Sequence, residues 1–119
     1  MIERWLRQFN ASWKDHDIDG VMALFSENVQ YWETPFRKLQ SVDDIRSEWT
    51  AIKNQFDIHL DTSLYSEDDG RFTVKWNVSY TDESHREKHW AGLYLLEFDT
   101  NGKCCYFYQV GESSPSDNS

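Results

Sequence analysis

The feature that most constrains the fold is an uninterrupted alternation of apolar and polar residues near the middle of the chain. In the stretch FTVKWNVSY, at 72–80, every second residue is apolar and the residues between them are polar. Successive side chains of a β-strand point to opposite faces, so this period of two predicts a strand with one buried face. A second alternating segment lies at 56–60, and EDDG at 67–70 is a turn signal between the two. We therefore predict two neighbouring antiparallel strands here.

Two further strands extend this pair into a meander. Residues 87–98 carry apolar residues on both faces, which predicts a strand that is covered on both sides. An Asn-Gly pair at 101–102 is a hairpin signal, and it leads into a last strand over about 103–111. A brief strand at about 28–33 is expected earlier in the chain, ended by the Thr-Pro pair that follows it.

The first half of the chain has a helical period instead. Apolar residues recur at intervals of three and four over about 2–14, and a short second helix follows the acidic segment DHDIDG. A third helix is predicted over about 42–53, because Ser41 and Asp44 form a capping-box pattern at its start. This order predicts an α+β fold in which three N-terminal helices pack on a curved antiparallel sheet, with a cavity between them.

The domain organisation is predicted to be simple. One domain is expected over 1–111, because there is no internal repeat, linker or second core pattern. The last segment, ESSPSDNS at 112–119, has nothing to bury and is expected to be a disordered tail.

Charge and cysteine content exclude several classes of function. The net charge is -9 and the basic residues form no run, so neither nucleic acid nor an anionic membrane surface is an expected partner. Cys104 and Cys105 are adjacent in a predicted strand and would point to opposite faces, which predicts free thiols and a cytoplasmic protein. The four histidines have no metal-ligand spacing on one face, so neither a metal site nor a cofactor is expected.

Three segments carry a resemblance to a known superfamily. They are DHDIDGVMALFSENVQYWETPF, SVDDIRSEW and AGLYLLEFDTNGKC. Together with the predicted order of elements they resemble the nuclear transport factor 2-like (NTF2-like) superfamily, and within it the SnoaL-like group. The resemblance implies a cone-shaped, cystatin-like barrel with an apolar pocket at its open end, and a homodimer formed through the outer face of the sheet. The superfamily includes isomerases, cyclases, epoxide hydrolases, dehydratases and non-enzymatic proteins, so it leaves the activity open.

The resemblance also implies candidate site residues. Ketosteroid isomerases in this superfamily use an aspartate at the end of the first strand as a general base. Alignment of the ALF motif places Glu33 at that position and Tyr94 at the position of a protonated aspartate that donates a hydrogen bond. The tyrosine donor of those enzymes is replaced by Phe9, which cannot donate. The remaining predicted ligand-binding residues are Tyr31, Trp49, Trp76, Tyr80, Trp90, Phe107 and Gln109.

Glu33 has two interpretations. It follows Tyr31 and Trp32, and burial among aromatic rings would raise its pKa toward neutrality, as suits a base. The alternative is a carboxylate at the rim of a pocket that is solvated or paired with Arg37 or Arg46.

These observations predict a protein with a pocket for a small apolar ligand. As an enzyme it would be a cofactor-free isomerase, cyclase or hydrolase that acts by proton transfer, with Glu33 as the base. Tyr94 and Gln109 would stabilise the developing oxyanion. The alternative for Tyr94 is a core tyrosine whose hydroxyl forms its hydrogen bond locally. The alternative is a non-catalytic ligand-binding or protein-interaction domain, since aromatic residues, 16% of the chain, either line a pocket or fill it.

Overall fold

The computed structural model describes residues 2–115, and these form three α-helices, one 3₁₀ turn and a six-stranded sheet. The elements are, in chain order, α1 (Ile2–Lys14), α2 (Ile18–Met22), β1 (Phe25–Thr34), β2 (Arg37–Leu39), α3 (Val42–Thr50), the 3₁₀ turn (Ala51–Asn54), β3 (Phe56–Asp68), β4 (Arg71–Thr81), β5 (Glu87–Phe98) and β6 (Cys104–Ser113). The predicted α+β fold, with three helices packed on a curved sheet, is confirmed.

The sheet has the order β2-β1-β6-β5-β4-β3 and stays open, with β2 and β3 at its edges. The predicted meander is present, because β3, β4, β5 and β6 pair with one another in antiparallel fashion. The sheet is nevertheless mixed rather than wholly antiparallel, since β1 runs parallel to β6. This pairing joins the two ends of the fold, and the Cys104 N–H donates to the Leu24 carbonyl oxygen at 2.9 Å where it begins.

Several boundaries differ from those expected from the sequence. The helix predicted over 42–53 ends at Thr50 and continues as the 3₁₀ turn, and β2 was not predicted. β1 begins at Phe25, three residues before its predicted start at 28. β6 continues to Ser113, two residues beyond the expected end of the domain at 111, because Glu112 and Ser113 pair with β5. Of the expected tail, residues 116–119 lie outside the described residues.

The core lies between α1, α3 and the inner face of the sheet. One stripe of α1 is buried, as its period predicts, and consists of Ile2, Trp5, Leu6, Phe9 and Trp13. Phe9 is fully buried, with its ring edge-on to Trp49 at 5.3 Å and to Tyr94 at 5.8 Å between centroids. Such contacts between aromatic rings add about 0.5–1.5 kcal/mol each to the free energy of burial. They fix α1 and α3 against the sheet.

Two glycines shape the sheet where β5 and β6 pair. Gly92 and Gly111 lie opposite each other. A Cβ atom at Gly92 would lie 1.8 Å from the Val110 carbonyl oxygen, so only glycine allows this approach of the strands. A Cβ atom at Gly111 would lie 2.6 Å from Cζ2 of Trp76, so the bare backbone leaves room for that indole to reach across the sheet.

Within residues 2–115, no helix has both the length and the apolar character needed to cross a bilayer.

Candidate functional site

A cavity of about 460 Å³ lies between the end of α1, the 3₁₀ turn and the inner face of the sheet. Its lining comes from six parts of the chain. The lining residues are Trp13, Glu33, Thr34, Pro35, Ala51, Gln55, Trp76, Val78, Tyr80, Trp90, Gln109 and Gly111. The volume suits a small organic molecule, and most of the lining is apolar or aromatic, as is usual for ligand sites.

The structure brings together some of the residues predicted from the sequence and separates others. Those that line the cavity are Glu33, Trp76, Tyr80, Trp90 and Gln109. Those that lie in the core are Tyr31, Trp49, Tyr94 and Phe107, all of them buried.

Glu33 and Gln109 lie on two strands that pair in parallel, β1 and β6. Tyr31 pairs with Phe107, and Trp32 pairs with Tyr108. Glu33 and Gln109 are the next residues of each strand, on the inward face already set by the buried rings of Tyr31 and Phe107. Both side chains line the cavity, so its wall carries one carboxylate and one amide.

Tyr94 was predicted to donate a hydrogen bond in the cavity, but the structure places it in the core. It is 1% exposed, and burial holds the pKa of its phenol well above the usual range. Its ring is stacked on that of Trp76, with 5.2 Å between centroids and 13° between planes. Trp76 lines the cavity and Tyr94 does not, because the indole can spread across the bare backbone of Gly111.

Glu33 is both a cavity residue and an ion-paired residue. Its side chain is 27% exposed, and Arg37 donates a hydrogen bond to its carboxylate. The same Arg37 Nη1 lies 2.8 Å from Oε1 of Glu48, so one guanidinium is shared by two carboxylates. Of the two arginines considered as partners, Arg46 binds Asp19 instead, at 2.7 Å.

The surroundings of Glu33 raise the pKa of its carboxyl above the usual value for glutamate. Burial is the largest cause, and the neighbouring Glu48 raises the pKa further through its hydrogen bond and its charge. Arg37 opposes both effects without cancelling them. A glutamate held in this way is a better proton acceptor than an ordinary surface glutamate.

Indole N–H groups around the cavity fall into two kinds. Trp13 Nε1 donates to the side-chain oxygen of Gln55 at 2.7 Å, which fixes both side chains in the lining. Trp76 Nε1 is buried and has no hydrogen-bond partner within residues 2–115. An unpartnered buried donor costs free energy, about 1–3 kcal/mol each. Such a cost is often found near functional sites.

Several residues of the site were not among those predicted. Trp13 and Gln55 had no evident signal beyond the end of an apolar stripe and the end of a helix. Thr34 and Pro35 could have been inferred, since they directly follow Glu33. Glu48 had no sequence signal, because only the packing of α3 beside β1 brings it to Arg37.

Two further observations concern side-chain chemistry elsewhere. Both cysteines are free thiols, with Cys104 buried and Cys105 half-buried. No cluster of three or more histidine, cysteine, aspartate or glutamate side chains suited to a metal ion occurs in the described part of the chain.

Comparison with solved structures shows what the fold is similar to. An epoxide hydrolase/cyclase-like enzyme, SalBIII, which has a role in forming the pyran ring of salinomycin, superimposes with a TM-score of 0.79 at 11% identity, covering 97% of this chain and 92% of that one. A Δ5-3-ketosteroid isomerase from a Mycobacterium species has a TM-score of 0.76 at 9% identity, covering 93% of this chain and 96% of that one. An NTF2-like protein of unknown function from an Exiguobacterium species has a TM-score of 0.74 at 17% identity, covering 93% and 97%. These identities establish a shared fold.

Comparison of sequences gives the family. No curated protein matches the sequence significantly. The family model of the SnoaL-like domain matches residues 6–107, which is most of the chain and includes Glu33, Trp76, Tyr80 and Trp90. Its fold is shared with NTF2-like proteins, and the chain belongs to the SnoaL-like domain family.

Proposed function

We propose that the cavity binds a small apolar compound and that Glu33 acts there as a proton acceptor, in a cofactor-free isomerase, cyclase or hydrolase. The observation that carries this proposal is a carboxylate of raised pKa in the wall of an aromatic cavity that the amide of Gln109 also lines. The similar folds of a ketosteroid isomerase and of an epoxide hydrolase/cyclase-like enzyme support this class of reaction.

For a carbonyl ligand the steps would be these. The Glu33 carboxylate takes a proton from the carbon beside the carbonyl group, and the electron pair of that C–H bond forms an enolate. The amide N–H of Gln109 donates to the enolate oxygen. In a β,γ-unsaturated ketone this enolate is a dienolate, so the Glu33 carboxyl can return its proton to the γ-carbon. The double bond moves into conjugation, and atoms and charge balance without a cofactor.

A second candidate is a binding protein that performs no chemistry. The observation that favours it is the position of Tyr94, the predicted second donor, in the core and away from the cavity lining. A developing oxyanion would then rely on Gln109 and not on two donors. Enzymes lose about 100-fold to 1,000-fold in kcat when one oxyanion donor is removed.

Hydrogen–deuterium exchange into cyclic ketones tests the proposal and separates the two candidates. Binding would be followed through the tryptophan indole N–H signals, and exchange by loss of the ligand proton beside the carbonyl. Catalysis predicts exchange that Glu33→Gln abolishes and that Glu27→Gln, an exposed change on the same strand, leaves intact. Binding without exchange would support the second candidate, and absence of binding would contradict both.

We also propose that the chain forms a homodimer through the outer face of the sheet and works in the cytoplasm. Leu95 on β5 is 38% exposed on this face, and the half-buried rings of Tyr106 and Tyr108 stand parallel beside it, 6.4 Å apart. A second copy would cover these apolar groups. Sedimentation equilibrium tests the dimer, and Leu95→Lys should shift it to monomer. The free thiols suit a reducing compartment.

A further inference from the structure

The cavity presents aromatic rings from two opposing walls. Trp76 and Tyr80 occupy inward positions of β4, and Trp90 lies beside them on β5, opposite Val78. Trp13 faces them from α1, held in place by its hydrogen bond to Gln55. Three indoles and one phenol therefore surround a single space of about 460 Å³. The faces of such rings carry partial negative charge and attract cations, indole most strongly.

The charge in the lining has one sign. Among the described residues, Glu33 is the only charged side chain that lines the cavity. Its partner Arg37 is divided between Glu33 and Glu48, so this group of two carboxylates and one guanidinium carries a net charge of about -1 when ionised. An anionic ligand would meet a carboxylate here with no lining cation to bind it.

We propose that the preferred ligand is an apolar compound with a tertiary or quaternary ammonium group, which is held by the aromatic rings and balanced by Glu33. This inference rests on the proposed ligand-binding role of the cavity, and it specifies the chemical class of the ligand. The ammonium balances the net negative charge of the group formed by Glu33, Arg37 and Glu48, and its alkyl groups fit an apolar surface. The net charge of -9 favours encounter with cations over anions.

Two probes of the same shape test the charge directly. Benzyltrimethylammonium and its uncharged carbon isostere, neopentylbenzene, would each be titrated into the full chain while the indole N–H signals are followed by NMR. We expect the cation to bind about tenfold more tightly than the isostere, as aromatic faces and one carboxylate should provide.

Two substitutions show whether the named groups are responsible. Glu33→Gln should lower the affinity for the cation about tenfold. The affinity for the isostere should stay within about twofold of that of the unsubstituted protein. Trp90→Leu keeps the site apolar but removes a ring face. It should lower the affinity for the cation about threefold and have little effect on the affinity for the isostere. Trp90 is 39% exposed, so this change should not unfold the chain. Glu27→Gln, which removes an equal charge from the exposed part of β1, should leave both affinities unchanged.

The outcomes separate this inference from the function on which it rests. Equal affinity for the two probes, or tighter binding of the isostere, would overturn the inference while the ligand-binding cavity stands. Binding of the cation that Glu33→Gln and Trp90→Leu do not weaken would also overturn it. Failure of both probes to perturb the indole signals would contradict the ligand-binding role itself.

Discussion

Replacement of Gly111 by alanine should destabilise the protein by driving the Trp76 indole out of its place in the cavity wall. The added Cβ would lie 2.6 Å from Cζ2 and 2.9 Å from Cη2 of that ring. Carbon atoms pack at about 3.5–4.0 Å, so the ring must move by about 1 Å. It has little freedom to do so, because it is stacked on the buried ring of Tyr94.

The magnitude follows from two opposing effects. Overpacking of a filled site costs about 1–3 kcal/mol. Removing a glycine from a strand returns about 0.5–1 kcal/mol through the lower entropy of the unfolded chain. We therefore expect a net loss of about 1–2 kcal/mol in the free energy of unfolding. The entropy of unfolding is about 2.1 cal/mol/K per residue, or about 0.25 kcal/mol/K for 119 residues, so Tm should fall by about 4–8 °C.

Thermal unfolding and near-ultraviolet circular dichroism together check this reasoning. The Gly111→Ala variant should lose stability and also change the tryptophan signal, because the ring moves. Gly70→Ala is the control: no atom lies within 4 Å of its added Cβ, and only its φ of +77° is strained. That variant should lose stability with an unchanged tryptophan signal. A Gly111→Ala protein as stable as the parent, with the same near-ultraviolet spectrum, would refute the proposed packing of Trp76.

Three further predictions concern the core and the ion-paired group of Glu33, Arg37 and Glu48. Glu48→Gln should lower the pKa of Glu33, because the hydrogen bond and the charge of Glu48 both raise it; an unchanged NMR titration would contradict this coupling. Phe9→Ala should cost about 3–5 kcal/mol in urea unfolding, since a fully buried ring that packs on several others leaves a cavity; a loss below about 1 kcal/mol would contradict that packing. Glu33→Gln should raise Tm at neutral pH but leave it unchanged below about pH 4. The folded-state pKa of Glu33 is raised, so its contribution to stability is fully present below the ordinary glutamate pKa and is lost as pH rises through the raised value.

The strands of the meander could be predicted because their signals are local. Alternation over 72–80 gave the buried face of β4, where Phe72, Val74, Trp76 and Val78 are all buried. The Asn-Gly pair likewise predicted the turn between β5 and β6. The parallel pairing of β1 with β6 had no such signal, because its two strands are separated by most of the chain. It depends on how the helices return the chain to the sheet.

The site was predictable in part for a similar reason. Glu33 could be placed through a short ungapped alignment and its aromatic neighbours. Tyr94 was expected in the cavity and lies beneath Trp76, because that outcome depends on the register of three strands and on the bare backbone of Gly111. The sharing of Arg37 between Glu33 and Glu48 joins β1, β2 and α3, and no local pattern reports it.

The pKa of Glu33 is the measurement that tests the central claim most directly. It can be followed by carbon-detected NMR titration of the side-chain carboxyl, with Glu33→Gln to assign the signal. The structure predicts a value above the ordinary glutamate pKa of about 4.3, because burial and Glu48 outweigh Arg37. A value at or below the ordinary one would mean a solvated carboxylate or one dominated by its ion pair. That result would contradict both the partly buried position of Glu33 and its role as a proton acceptor.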